Sequence, residues 1–430
     1  MALVDLSPAL GRALDAITPA RVVTVLQDLL AVPSVTGSAA ESEAQHELAL
    51  RYEELGLDTD HWSIDLNQTL KDPGFPGLEA PRSEAWGLVG TWPGTSTDDT
   101  EATEPALVLN GHIDVVPLGN VGDWTVGPWA GMVRGGRVLG RGACDMKGGM
   151  AAQLVAVEAL QQAGVRLRRP LALHSVVGEE DGGLGTFATL ARGHRGQAAV
   201  VCEPTDGAVI PACAGALTFR LTVPGRSAHG SVRYEGVDAV EKYVLVHLAL
   251  RRLESRRNTE PHPLMRHYPL PYPLSVGTVH AGDWASTVPD LLIAEGRLGV
   301  ALGEDPAHAR QELEQAVSTV CAGDPWLAEH PIVVSWYGGQ FASGVLPEGS
   351  PLLAELIGAV TDAHGTAPQV HGAPYGSDLR LLTAAGIPTV HYGPGSLAQA
   401  HAPDEWVAVD DLVRVAQTLV LLAGRRCGVA

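Results

Sequence analysis

A chain of 430 residues, 45% hydrophobic and 18% charged, is long enough to bury more than one core and has the composition of a soluble globular protein. A formal net charge of -20, with no Lys and Arg cluster able to neutralise a run of phosphates, excludes nucleic acid as a partner. No apolar stretch is long enough to span a bilayer, and Met1 to Pro19 carries no basic region followed by an apolar one, so no membrane contact and a cytoplasmic location are expected.

Helical apolar periodicity runs from near Pro19 to Leu55. Asp72 to Asp99 is loaded with Pro, Gly, Ser and Thr and reads as loops around a short strand near Trp86 to Thr91. Leu107 to Asn110 and Leu171 to Val177 have the pattern of buried strands. Gly148 to Gly164, rich in Ala, Leu and Gln and closed by a glycine, reads as the helix that crosses between them. After Ala214 the rhythm changes. Ala216 to Val223 reads as a strand, Val237 to Arg252 as a helix, Leu274 to His280 and Ile293 to Leu302 as strands, Pro306 to Cys321 as a helix and Ile332 to Tyr337 as a strand. The order βαββαβ is the ferredoxin-like plan, with the proline-rich run Pro261 to Pro273 as a loop inside it. From Gly338 helix, loop and strand units resume and end in a helix over Val409 to Ala423. The expected fold class is therefore α/β: a three-layer αβα domain with a mostly parallel sheet from residues 1–214 and 338–430, interrupted by an inserted ferredoxin-like α+β domain over 215–337. Cys144, Cys202, Cys213, Cys321 and Cys427 lack the repeated short spacing of a disulfide framework or thiolate zinc site and read as small buried hydrophobes.

The segment LVLNGHIDVVP, Leu107 to Pro117, ends an apolar strand on His112 and Asp114. Strand side chains alternate, so these two point the same way, and a metal-bound imidazole usually gives its second N–H to a carboxylate such as Asp114. Alone, such a pair is a weak signal. In GRGACDMKGG, Gly140 to Gly149, glycines surround Asp145 just before a helix. Asp caps helices well, but glycine-rich loops are also where chemistry sits. HSVVGEEDGGLG, His174 to Gly185, sets Glu179, Glu180 and Asp181 straight after a strand. Three adjacent acids ordinarily make a solvated turn; after a buried strand, one carboxylate can bind metal while its neighbour handles protons. VVCEPT ends another β-like run on Glu203, and AHAPDEW, after GIPTVHYGPG, carries His401, which alone would read as a surface histidine. The series is stronger than its members, because the ends of successive strands in one α/β domain converge on one crevice. Imidazoles mixed with carboxylates, without thiolates, suit zinc, cobalt or manganese, and this set is large enough for two divalent ions.

The ordered motifs GHIDVVP, GRGACDMKGG, VVGEEDGG, CEPT, GRSAHGS, YGSDLR and AHAPDEW resemble, over nearly the whole chain, the metallopeptidase family of acetylornithine deacetylase, succinyl-diaminopimelate desuccinylase, aminoacylase and the glutamate carboxypeptidases. The resemblance implies a hydrolase with two zinc ions that cleaves the amide of an N-acyl amino acid or related small N-acyl amine, and a homodimer formed through the inserted lid. A dipeptidase or carboxypeptidase is the alternative within the same chemistry. A catalytically silent metal- or ligand-binding protein is the alternative of another class, which an intact base argues against. Position by position, the resemblance makes Asp145 the carboxylate bridging both ions, His112 and Glu203 ligands of one, and Glu180 and His401 ligands of the other. Asp114 then orients His112, Glu179 is the general base, and His229, in GRSAHGS, is the lid histidine that polarises the scissile carbonyl in the partner subunit's crevice. Arg380, in YGSDLR, matches an arginine expected to clamp a substrate carboxylate, Gly395 joins it as a substrate contact, and the peptide bond after Asp145 is expected to be cis. Within the lid, Ser286 stands where many members carry Asn, and Gly299 falls near the place of an Arg.

Overall fold

The computed structural model describes residues 7–96 and 104–430, so the first six residues of the N-terminal stretch and residues 97–99 of the loop-rich stretch lie outside the described residues. The chain divides into two compact units. One runs to Ala212 and resumes over Val345–His371 and Leu381–Ala430; the other comprises Cys213–Gly344 and Gly372–Arg380.

The first unit opens with helices α1 (Pro8–Ala16), α2 (Pro19–Ala31) and α3 (Ala39–Glu54). Proline stands in the first turn of α1 and α2, where its missing N–H costs nothing, and the Ser7 and Thr18 hydroxyls accept the N–H of Leu10 and Arg21. Strands β1 (Asp58–Ser63), β2 (Trp86–Trp92) and β3 (Leu107–His112) follow, then the short pair β4 (Met132–Arg134) and β5 (Arg137–Leu139). Helix α4 (Lys147–Gln162) crosses to β6 (Leu171–Val176), and α5 (Leu184–Ala191) leads to β7 (Ala199–Val201). Helix α4 is buried from Lys147 to Leu160 because it packs against α1, α2 and β3 and, later in the chain, the last helix.

The second unit contains β8 (Gly215–Pro224), α6 (Ala239–Arg257), β9 (Leu274–Ala281), β10 (Leu291–Val300), α7 (Pro306–Gly323) and β11 (Val333–Phe341). Its sheet has the order β9-β10-β8-β11 with every neighbour antiparallel, the ferredoxin-like arrangement that the patterning predicts. Leu217, Phe219, Leu221 and Val223 alternate along β8 and form one core with Val246 and Leu250 of α6 and Leu313 and Val317 of α7. Between α6 and β9, the expected loop over Pro261 to Pro273 holds only a single 3-10 turn, Pro263–Met265.

The chain then returns to the first unit with α8 (Pro351–His364), β12 (Thr389–His391), β13 (Trp406–Ala408) and α9 (Val409–Arg426). The main sheet has the order β1-β2-β6-β3-β7-β12, with β6, β3, β7 and β12 parallel and β2 and β1 added antiparallel. Every residue of β3 and β6 is buried, as expected for central parallel strands covered on both faces. Parallel neighbours bring the carboxyl ends of β3, β6 and β7 together. A separate sheet, β13-β5-β4, carries the chain out of β5 toward Asp145 and into β13 from His401. All five cysteines are buried and free. No helix among the described residues is long and apolar enough to cross a membrane.

One carbonyl limits how this packing can vary. A Cβ added at Gly149 of α4 would lie 2.1 Å from the Cys202 carbonyl oxygen, and one at Gly393 would lie 2.1 Å from the same atom. Only glycine lets α4 and the 393–395 loop close on the backbone that leads to Glu203. Gly149→Ala is expected to lower stability by about 1 to 3 kcal/mol, the usual range for overpacking, in chemical denaturation. An unchanged midpoint at unchanged slope would show that α4 can retreat freely.

Candidate metal centre

Each ligand-type side chain leaves the end of an element of the first unit. His112 is the last residue of β3, Glu179 and Glu180 follow β6, Glu203 follows β7, Asp145 precedes α4, and His401 lies on the approach to β13. The two oxygens of Asp145 face different imidazoles: Oδ1 is 3.1 Å from His112 Nε2, and Oδ2 is 3.5 Å from His401 Nε2. Glu203 Oε1 lies 3.7 Å from the same His112 nitrogen, and Glu180 Oε2 lies 3.2 Å from the same His401 nitrogen. Ligand atoms about 2.0 to 2.2 Å from one tetrahedral ion stand about 3.3 to 3.6 Å apart, so both groups have the spacing of a coordination shell. Glu179 also has an oxygen within 4.8 Å of ligand atoms of His112 and Glu203. His112, Glu203 and Glu179 are buried, whereas the His401 side chain is 52% exposed and borders solvent.

Asp114 takes a part that its spacing did not suggest. The His112 Nδ1–H donates to the backbone carbonyl of Asp114 at 2.9 Å, while the Asp114 carboxylate stands 3.7 Å away. That carboxylate instead accepts the N–H of Glu179 on Oδ1 and of Glu180 on Oδ2, each at 3.2 Å, and the Thr36 hydroxyl at 3.0 Å. Residue 114 therefore fixes the imidazole through its backbone and the Glu179–Glu180 turn through its side chain. Asp181, the third acid of that turn, is not a solvated residue. It accepts both bonds of the Arg82 terminal nitrogen Nη2, at 2.9 and 3.0 Å, and the Ala80 N–H at 2.9 Å. Arg82 also faces Glu41, whose carboxylate accepts the N–H of Gly178 at 3.1 Å. Asp145 is not a helix cap: the cap position of α4 is Met146, and the Asp145–Met146 peptide is cis, as the resemblance implies.

The electrostatics of this cluster call for a cation. Burial and then the neighbouring Asp145 charge push Glu203 well above the usual carboxylate range, and the same two causes raise Glu180. Burial opposes a charged His112, yet Asp145, followed by Glu203, Asp114 and Glu179, holds its pKa well above the usual value. Hydrogen bonds to Asp145 and then Glu180 push His401 up to about 11. Burial works against the Asp145 carboxylate as well, but the two imidazoles hold its pKa below the ordinary range. Glu180 Oε1 is buried without a hydrogen-bond partner among the described residues. Packed carboxylates with imidazoles and a spare buried oxygen are a donor set that fits divalent metal. A second cluster, Glu304, His308 and Glu312 on α7 and just before it, differs because Arg257 pairs with both of its carboxylates.

The remaining predicted residues lie apart from this description. His229 is exposed in the second unit, where its Nδ1 accepts the Ser231 N–H at 3.2 Å and meets the Ser231 hydroxyl at 2.7 Å, which leaves the neutral ring's proton on Nε2. Arg380 also belongs to the second unit and is 3% exposed; its Nη1 donates to the Ser377 carbonyl at 2.8 Å and its guanidinium lies 4.0 Å from the Phe341 ring centre. Its Asp378 neighbour is 3.9 Å away, beyond hydrogen-bond distance. Gly395, with φ of 83°, lets the loop rest against Cys144, whose sulfur a Cβ there would meet at 2.7 Å. At 299 a side chain has no room, because a Cβ would meet the Tyr272 carbonyl carbon at 2.9 Å. Sequence reasoning gave no role to Arg141, Glu405, Arg82, Glu41 or Thr36. Arg141 lies in GRGACDMKGG and Glu405 in AHAPDEW, and their only signal in the sequence is that proximity to Asp145 and His401. Arg82 lies in a Pro- and Ser-rich loop and offered none.

Residues 108–425 match the family described as peptidase family M20/M25/M40. The chain is 28% identical to the N-formyl-4-amino-5-aminomethyl-2-methylpyrimidine deformylase of Halalkalibacterium halodurans, over 94% of this chain and 94% of the relative. It is 32% identical to the succinyl-diaminopimelate desuccinylase of Gluconacetobacter diazotrophicus, over 75% of this chain and 82% of the relative. Its fold is similar to that of human carnosine dipeptidase 1, with a TM-score of 0.75 at 14% identity, over 98% of this chain and 99% of that one. With the family match covering well over half of its length, the chain belongs to peptidase family M20/M25/M40.

Proposed function

We propose that the protein is a di-metal amidohydrolase, with zinc as the resident ion, that removes the acyl group from a small N-acyl amine or N-acyl amino acid. The observation that carries this reading is Asp145, which turns one oxygen to His112 and the other to His401. One relative is named a deformylase and another a desuccinylase, so the acyl group differs between them while amide cleavage is shared. Asp145 would bridge the ions, with His112 and Glu203 holding one and Glu180 and His401 the other. When bound, the ions would lower the pKa of the attacking water and polarise the amide oxygen. Glu179 takes the proton from that water and returns it to the leaving amine, and the Asp114 carboxylate keeps the turn bearing Glu179 in place through its N–H. Hydrolysis of N-formyl, N-acetyl and N-succinyl amines, measured on metal-reconstituted protein and abolished by chelator, tests the reading. Glu179→Ala should keep both ions and lose nearly all turnover, whereas Glu180→Ala should lose an ion; metal counting that gives the reverse would exchange the two roles.

Loading the site should also release protons. Hydrogen bonds to Asp145 and Glu180 push His401 up to about 11, so its ring carries a proton at neutral pH, and Asp145 pushes His112 in the same direction; both rings must be neutral to coordinate. Calorimetry of zinc binding in buffers of different ionisation enthalpy should therefore report net proton release at pH 7. Ion uptake with no proton release would contradict the assignment of these histidines.

We further propose that residues 215–337 form a lid through which a cytoplasmic homodimer assembles. Val240, Val244 and Leu248 make an exposed apolar stripe at four-residue spacing on α6, and β9 is an open, largely exposed edge of the sheet. In such a dimer His229, with its Nε2–H available, would donate to the developing oxyanion in the partner's crevice. Glu179→Ala and His229→Ala proteins, each nearly inactive, should regain roughly a quarter of native activity when unfolded and refolded together, from the one sound site in each mixed dimer. Mixed dimers without activity would confine His229 to its own chain or to no role.

A further inference from the structure

A buried ion pair joins the loop that carries Asp145 to the segment that carries His401. Arg141 and Glu405 are each 1% exposed, and Nη1 of the arginine donates to Oε2 of the glutamate at 2.6 Å. The other carboxylate oxygen, Oε1, accepts two backbone N–H groups, that of Cys144 at 2.9 Å and that of Asp145 itself at 3.0 Å. From the guanidinium, longer contacts of 3.4 Å reach the carbonyls of Ala402 through Nη1 and of His401 and Pro117 through Nη2. His401 needs such support, because its φ of 61° lies in the left-handed region that a residue with a side chain adopts only when its surroundings hold it there. The β5–β13 ladder continues into the same place, with the Gly140 N–H donating to the Glu405 carbonyl at 2.8 Å.

A buried ion pair is weak support for stability by itself, since the desolvation of two charges offsets much of their attraction. This one is distinguished by where its remaining bonds go. The carboxylate grips the backbone of Asp145, the guanidinium reaches the backbone of His401, and these two residues face each other across 3.5 Å. We infer that Arg141 and Glu405 are positioning residues: they set the Asp145 and His401 backbones relative to each other and so set the affinity of the ion held between His401 and Glu180, while neither is itself a ligand. The inference rests on the di-metal reading given above.

Cobalt(II) titration of the full-length, metal-free protein, followed by visible absorption and equilibrium dialysis, separates the possibilities. Wild type should bind two ions. Glu405→Gln should bind one with unchanged affinity and the other about 10- to 100-fold more weakly, the usual effect of removing a group that orients a ligand. The loss should not grow when His401→Ala is added, because both changes strike the same ion, and it should add fully to the loss caused by Glu203→Ala. Arg141→Lys, which keeps the charge but loses the forked reach, should weaken the same ion, and it carries the test if Glu405→Gln does not fold. A folded variant that binds both ions with wild-type affinity, or weakens both equally, would overturn the inference and leave the pair a purely structural contact. If His401→Ala alone keeps both ions at full affinity, the ligand assignment has failed instead.

Discussion

Asp145 must present its two carboxylate oxygens to two imidazoles that arrive from distant parts of the chain, His112 from β3 and His401 from the approach to β13. That requirement explains much of the local sequence. Asp145 stands in the loop between β5 and α4, where Glu405 accepts its backbone N–H and that of Cys144. Helix α4 starts immediately afterwards and is buried along most of its length, which anchors the loop to the core. Lys147, one residue beyond Met146, ties that helix to the end of α2 by donating to the carbonyls of Leu29 and Val32 at 2.9 and 2.8 Å.

Holding so many carboxylates together has a large electrostatic cost, and the surrounding residues manage it in two ways. Around the Glu179–Glu180 turn, N–H groups from the turn converge on Asp114, and Arg82 offsets Asp181 and Glu41. At the centre no lysine or arginine among the described residues is paired with Asp145, Glu180 or Glu203, and two imidazoles face them instead. An imidazole can give up its proton to a metal, whereas a guanidinium cannot. The rim of the cluster is thus neutralised permanently and its centre is left for exchangeable cations.

The parts of this arrangement that follow from strand endings were legible in the sequence. His112, Glu203 and the Glu179–Glu180 pair terminate buried β runs whose composition is unmistakable, and the alternation along β8 identifies the second core in the same way. His401 was legible only through its motif, because a histidine in a loop has no periodicity to mark it. For Asp114 the two-residue spacing predicts side chains on one face, but the strand ends at His112, and beyond it the backbone carbonyl of residue 114 turns toward Nδ1 at hydrogen-bond distance while the carboxylate stands farther off. Arg82 and Glu41 were beyond reach, since nothing local in a loop or in the first turn of α3 announces that each will meet the turn after β6. Arg380 was assigned by motif to the first unit, but its buried guanidinium packs on Phe341 within the second.

The central claim is that Asp145 bridges two ions. It is tested most directly by diffraction from crystals of the zinc-loaded protein, with anomalous differences collected on both sides of the zinc edge. The account predicts two zinc peaks separated by about 3.5 to 4 Å, one bound by His112 and Glu203, the other by Glu180 and His401, with one Asp145 oxygen on each. A single peak at full loading, or two peaks of which only one touches Asp145, would contradict it.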